Sequence, residues 1–456
     1  MNLYLAVQIG QGRVPALNRN SSPSRTRNRL IAVTLVMFVI GAIPLAKGQS
    51  VTLTLEEARL IAFDRNWDLL AAKSGIDSAT AQLIIAREYP NPNASINAAQ
   101  VGSGLAASTA GNSLWKRSYD TNAAVSQLVE IAGKRGDRQE AARAGIVGAR
   151  ARFHDAKRSL DQGVTKAYIA ALFAEETFKN LSQSSGYLNK EVEVAKHRFE
   201  IGDLSNSDKK QIEVAAEQFE LQAKTAKAAA IQARIAVEIL LAVAKPKGIW
   251  KPLDSLDKLG RIRPSAPSKR AGAERPDVLA AESDLRAAKA NLNLQKAFRI
   301  PDPTFSVGAE HYPQGDTLPI NTLNFGISFP LPIWNQNGGN IKAAEAAVDQ
   351  SAIALGKIKT QAFADLANAI VERDEAANRL RQYEEQTAPK AAFTREAVAY
   401  AYEHGGASIV DLLEAERTDN TVRLAMGQAR NDSASAVADL TSAQTAFTEA
   451  EISARK

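Results

Sequence analysis

Cysteine is absent from the 456-residue chain. No disulfide framework or thiolate metal site is therefore available, and no cysteine follows the N-terminal apolar run to take a lipid. Methionines number three and histidines four. The histidines His154, His197, His311 and His404 are scattered with no pair at ligand spacing, so no metal site and no cofactor is expected within one chain. Aromatics make up only 6%, too few for a thick globular core and better suited to long helices packed through small side chains. Long apolar runs are also missing, with one exception at the N-terminus.

That exception is LIAVTLVMFVIGAIPLA, Leu30 to Ala46, preceded by five arginines (Arg13, Arg19, Arg25, Arg27, Arg29) and followed by the small residue Gly48. Residues 1–48 are read as a targeting segment for export, with cleavage near Ala46–Gly48; at 17 residues the run is short for a membrane span. The leader carries six of the 56 Lys and Arg and no acid. The remainder then holds 50 basic and 50 acidic residues. The net charge of +6 thus belongs to export, and the rest has no electrostatic footprint for nucleic acid.

What is present is repetition. LLAAKSGIDSATAQLIIAREYPNP (69–92) and VLAAESDLRAAKANLNLQKAFRIPDP (278–303) are helical patterns that both run into Pro-x-Pro. VSQLVEIAGKRGDRQEAA (125–142) parallels ISFPLPIWNQNGGNIKAA (327–344), and RFEIGDLSNSDKKQIE (198–213) parallels AYEHGGASIVDLLEAE (401–416). The order helix, strand pair, long helix, glycine turn, long helix occurs twice, across a Pro- and Lys-rich linker at about 245–272. The expected division is 1–48 leader, 49–260 first repeat and 261–456 second repeat.

The long helices carry a seven-residue beat. Phe153, Leu160, Ala167, Ala174, Leu181, Leu188 and Ala195 form one row, with Val164, Ala171, Phe178, Val192 and Phe199 four residues behind. In the second half Ile341, Val348, Leu355, Ala362, Ala369, Ala376 and Tyr383 form another. Such heptads bring helices together in a left-handed supercoil. Helices of about 60 residues reach roughly 90 Å and must lie against other rods. Four segments alternate with period two: 94–102, 118–129, 304–312 and, most cleanly, 321–329. Each could be a half-buried strand of a soluble sheet. Four ten-residue strands in an exported chain also fit an outer-membrane barrel, yet the smallest such barrels need about eight. Copies of the chain would have to pool their strands, and three would give twelve.

In YEHGGASIVDLLEAE (402–416), Asp411 and Glu414 lie three residues apart on one helix face beside a paired glycine. A carboxylate-dependent hydrolase would use such a pair, but no pocket-forming pattern surrounds it, and two solvated helix charges are the simpler reading. GKRGD (133–137) lacks the phosphate-loop spacing and is read as a helix start at the strand-to-helix junction. Trp115 and Tyr312 flank strand patterns and are candidate membrane-interface anchors, weighed evenly against ordinary exposed aromatics.

Together these residues resemble the TolC-like outer-membrane efflux factors, in their heavy-metal-efflux (CzcC-type) branch. The likeness runs from LTLEEARLIAFDRN (53–66) to the C-terminal helix; QLVEIAGKRGDRQEAA, FPLPIWNQNGGNI and the two glycine-turn stretches are its most specific parts. It implies a mostly α fold with β: a homotrimer whose twelve-stranded outer-membrane β-barrel continues into a periplasmic α-helical barrel. It also implies a non-enzymatic exit duct served by a periplasmic adaptor and an inner-membrane proton-driven pump. Heavy-metal cations are the candidate cargo, selected upstream. On the family pattern, Gly202, Ser205, Gly405 and Ser408 mark the periplasmic tips where the adaptor docks. Asp411 and Glu414 would ring the aperture, where crowding raises carboxylate pKa values, and Asp208 and Tyr402 would latch neighbouring hairpins. Ala407 stands where better-known members carry a basic residue, which puts an arginine-based latch in doubt. The alternatives are a periplasmic adaptor and a coiled-coil structural protein of an envelope-spanning complex. Two strand pairs in a duplicated plan argue against the adaptor.

Overall fold

The computed structural model describes residues 52–99, 120–262, 271–312 and 320–454. The leader, Trp115, part of the 245–272 linker and the distal ends of the first strand pair lie outside them, as does the side chain of Tyr312.

The chain opens with a short strand β1 (Thr52–Leu53) and helix α1 (Leu55–Arg65), whose Thr54 and Glu57 make a reciprocal capping box. Helix α2 (Trp67–Arg87) leads to strands β2 (Asn93–Ala99) and β3 (Asp120–Leu128). The first hairpin of rods follows, α3 (Lys134–Glu200) and α4 (Asn206–Leu240). Strand β4 (Lys251–Pro252) pairs in parallel with β1, and α5 (Leu256–Gly260) closes this half. The second half repeats the order: α6 (Pro276–Ala297), β5 (Thr304–Tyr312), β6 (Ile320–Ser328), α7 (Gly338–Gln382), α8 (Ala388–Glu403) and α9 (Ile409–Gln444), ending in α10 (Glu449–Ala454).

Helix α3 has 67 residues and spans about 100 Å. It lies against α4, α6, α2 and α9. Its heptad rows bury Val164, Ala171, Leu181, Leu188, Val192 and Ala195, whereas Phe199 at the end is exposed. The second rod differs from the uninterrupted helix the heptads predict. A π-helical turn, Tyr383–Thr387, separates α7 from α8. Pro389 follows at the start of α8. It has no N–H to donate and its ring crowds the carbonyl four residues back, so the widened turn takes up the mismatch.

The seam between α3 and α9 is not apolar throughout. Arg430 reaches Glu176 at 3.0 Å, Lys166 reaches Asp439 at 2.8 Å, and Arg158 donates to Ser442. Ion pairs here fix register along rods whose small-residue packing alone would permit sliding.

Strands β2, β3, β5 and β6 form one antiparallel sheet in that order, and β3 pairs with β5 across the repeats. The 304–312 segment is a strand as read from sequence, and the 321–329 segment shifts by one residue; of the 94–102 and 118–129 segments, 100–102 and 118–119 lie outside the described residues and the rest matches within a residue. Alternation sorts the two faces. One carries Ile96, Ala123, Val125, Phe305, Val307, Leu323, Phe325 and Ile327. The other carries Ser95, Asn97, Asn122, Ser126, Ser306, Thr322 and Asn324. The apolar face is open: Phe325 is 80% exposed and Leu323 71%.

The GKRGD run starts α3, with Ala132 and Gly133 both left-handed at φ 58° and 77°. This turn lets Lys134, only 2% exposed, pass back under the sheet. Its ammonium donates to the Ile300 carbonyl at 2.6 Å and to Asp302 at 2.7 Å, so the start of one rod is tied to the Pro-x-Pro that precedes β5.

Candidate functional site

The two helical hairpins end in the same local construction. Gly202 and Gly405 adopt φ of 81° and 75°, the left-handed conformation that a residue without Cβ enters at little cost. The Asp203 N–H returns to the Arg198 carbonyl at 2.8 Å, and the Gly406 N–H to Ala401 at 2.7 Å, closing each rod. Three residues past each glycine a serine caps the next helix: Ser205 accepts from the Asp208 N–H and Ser408 from the Asp411 N–H. The spacing Gly-x-x-Ser-x-x-Asp is thus one local program for reversing a rod, used twice.

This construction separates the two carboxylates that sequence reasoning paired. Asp411 accepts from the Ser408 N–H at 3.0 Å and from its hydroxyl at 2.7 Å. The Ser408 hydroxyl, then its N–H, holds the Asp411 carboxyl below its ordinary pKa, opposite in direction to the crowding expected from a ring. Within one copy Asp411 is first a helix cap. Glu414 is exposed and lines a groove between α4 and α9 with Lys210, Val214, Val410 and Arg417.

Tyr402 and Asp208 are not joined by a hydrogen bond. Tyr402 is buried in a cluster with Leu188, Val192, Ile212, Phe219 and Leu412, which draws on all four tip helices. Its hydroxyl has no hydrogen-bond partner among the described residues, and the Arg198 guanidinium lies over its ring at 5.3 Å. The His404 Nδ1–H donates locally to the Tyr400 carbonyl at 2.8 Å. Among the described residues no group of His, Asp or Glu could hold a metal ion.

Sequence reasoning missed a charged layer about two to three turns behind the tip. Arg395 of α8 sits 3.5 Å from Glu416 and 3.6 Å from Asp419, both on α9 and both buried, and under the Tyr187 ring of α3 at 5.9 Å. Glu191 of α3 is buried nearby. Burial, then Glu403, raises the Glu191 carboxyl pKa; burial raises that of Glu416 against the pull of Arg395. Burial likewise pushes the Tyr187 hydroxyl up, followed by Glu191 and Glu416. Glu191 falls between Leu188 and Val192 rather than in either heptad row, so the periodicity carried no signal for this layer.

A carboxyl with a raised folded-state pKa binds its proton more tightly when folded. Its ionisation therefore removes stability as pH rises from the ordinary value of 4.5 through the raised one. Glu191→Gln is expected to raise the unfolding midpoint at neutral pH and to leave it unchanged below the ordinary carboxylate range. Paired thermal melts across pH check this; a gain that persists in acid would assign the effect to packing.

A family model described as outer membrane efflux protein matches residues 61–243 and 268–444. The chain is 26% identical over 373 residues to the cobalt-zinc-cadmium resistance protein CzcC of Cupriavidus metallidurans, covering 80% of this chain and 84% of that protein. It is 26% identical to the probable outer membrane lipoprotein SilC of Salmonella typhimurium, with 79% of each covered. Among solved structures, a CusC channel superposes with a TM-score of 0.73 at 18% identity, over 89% of this chain and 96% of the other. The open state of the Neisseria gonorrhoeae MtrE outer membrane channel gives 0.69 at 25% identity, over 86% and 88%.

Proposed function

Because the chain belongs to the outer membrane efflux protein family, we propose that three copies close one duct, with twelve strands in the outer membrane and a helical tunnel in the periplasm. The protein is an outer-membrane efflux channel of TolC-like fold. The observation that supports the trimer is an unfinished sheet: β2 and β6 each present an unpaired edge, while the apolar face is exposed from Ile96 to Ile327. Backbone groups on an open edge cannot be satisfied in hydrocarbon, so a membrane sheet must close, and four strands are too few to close alone. The flanking rods agree: Leu221 on α4, and Val371 and Phe393 on α7 and α8, are apolar and exposed where neighbouring copies would pack.

In this reading the halves 49–260 and 261–456 are two copies of one plan, and the tips at Gly202, Ser205, Gly405 and Ser408 receive a periplasmic adaptor coupled to an inner-membrane pump. The name of one relative, the cobalt-zinc-cadmium resistance protein CzcC, supports metal cations as cargo. The Asp411 and Glu414 carboxylates of three copies would form an acidic aperture that draws cations and repels anions. Asp208 and Tyr402 would join neighbouring hairpins across it. A hydrolytic role for the pair fares poorly, because Asp411 is committed to capping α9.

The acidic aperture is tested with Asp411→Asn and Glu414→Gln, which remove charge while Asn keeps an acceptor for the Ser408 cap. Reversal potentials in planar bilayers under a salt gradient are expected to lose most of their cation preference. Unchanged selectivity in the double variant removes the aperture from this site. Detergent-solubilised protein is expected at the mass of a trimer; a folded monomer overturns the duct.

A further inference from the structure

The apolar face of the sheet is too short for the membrane it must cross. Rows across the sheet are set by register: Ile96, Ala123, Ala309 and Leu323 stand abreast, then Ala94, Val125, Val307 and Phe325, then Gln127, Phe305 and Ile327. One row beyond Leu323 the same face carries Ala98, Thr121, His311 and Asn321, three of the four polar. Among the described residues the apolar band therefore ends at Leu323 on the side away from the rods. From Leu323 to Ile327 is about 13 Å along the strand and about 10 Å of membrane depth at the usual tilt, against an apolar band of about 25 Å on such barrels.

The missing height lies in FPLPIW, 329–334, which follows β6 toward the tunnel. Phe329, Leu331 and Ile333 continue the odd-numbered apolar row of Leu323, Phe325 and Ile327, and all three are exposed. Trp334 is 94% exposed. Past the end of β3, two strands away from β6, Val129 and Ile131 extend the row of Val125 in the same direction and are also exposed. Counting from Leu323 to Leu331, before the chain turns at 331–333, gives about 26 Å of extended chain, or about 20 Å of depth after tilt, close to the height of that band.

A strand from an adjoining copy is a poor cover for this segment. Pro330 and Pro332 have no N–H to offer an adjoining strand, and the Ile333 N–H is spent on the Leu331 carbonyl at 2.9 Å. Resting on the barrel reading above, we propose that residues 329–334 lie in the periplasm-facing interface of the outer membrane. Leu331 and Ile333 enter the acyl region and Trp334 sits at headgroup level, where the amphipathic indole is favoured. A lipid surface is the partner of this collar, and it sets how deep the barrel sits.

The cysteine-free chain allows a direct test. Full-length trimers carrying Leu331→Cys, Ile333→Cys or Trp334→Cys are labelled with an environment-sensitive fluorophore and reconstituted in phosphatidylethanolamine–phosphatidylglycerol vesicles, with Leu323→Cys as reference. Labels at 331 and 333 are expected to emit at short wavelength and to lose most of their emission to lipids bearing a nitroxide, and the label at 334 to respond most to a headgroup nitroxide. Short-wavelength emission that nitroxide lipids do not quench places the segment against a neighbouring copy and overturns the proposal. Quenching by aqueous iodide alone overturns it as well. In both cases a lipid-quenched label at 323 leaves the barrel intact, whereas loss of lipid quenching at 323 overturns the barrel reading itself. Two collar positions are used so that failure of one variant to assemble does not decide the result.

Discussion

Asp302→Ala is expected to destabilise the protein by about 3–5 kcal/mol, the loss typical of stranding one member of a buried ion pair. Lys134 is almost fully buried, and Asp302 and the Ile300 carbonyl take two of its three N–H donors. The same carboxylate accepts from the Ile131 N–H at 2.9 Å. Without it, a buried ammonium loses its counter-charge and the exposed Ile131 amide turns to water, at the point where sheet gives way to rods. Asp302→Asn keeps a neutral acceptor and should fall between the two. The variant Lys134→Met with Asp302→Leu should recover most of the loss, because the desolvation penalty leaves with the charges. Unfolding midpoints in detergent decide the matter. If Asp302→Ala behaves like a surface substitution, the pair is ornamental.

Arg395→Ala should act at the other end of the rods. Asp419 keeps a partner in Arg423 at 2.6 Å, but Glu416, 4% exposed, keeps none of comparable reach. An uncompensated buried carboxylate costs several kcal/mol unless it takes a proton or reaches water. At neutral pH the escape to water loosens the packing of α8 on α9 and on Tyr187 of α3. Increased resting conductance at neutral pH is the expected result. Acidification should reverse it, since protonating a carboxyl with a raised pKa removes the offending charge. Glu416→Gln in the same chain should reverse it at every pH. Conductance indifferent to pH in Arg395→Ala would assign the change to lost side-chain volume.

The tip shows how a local reading can leave a role out. Gly405 and Asp411 are legible in sequence as turn and acid, and the acid was weighed as a solvated helix charge, a catalytic carboxylate or part of an aperture, but not as a cap, the role its contacts with Ser408 add. Arg395 was invisible for the opposite reason. Arginine on a charged helix is unremarkable until α8, α9 and α3 converge to bury its partners.

What the sequence determined by itself is what repeats over short distances: the two-residue alternation of four strands, the seven-residue beat of the rods, and the Gly-x-x-Ser-x-x-Asp spacing that turns each rod back. Each depends on neighbours a few residues apart, whose geometry follows from backbone periodicity. Only the tertiary structure decided that β3 pairs with β5, that of the second repeat's rods it is α9 that zips to α3, that the second rod needs a π turn before Pro389, and that Lys134 finds Asp302. Those outcomes join residues far apart along the chain. Which distant partner wins depends on how whole rods and strands pack, and no periodicity in the chain encodes that competition.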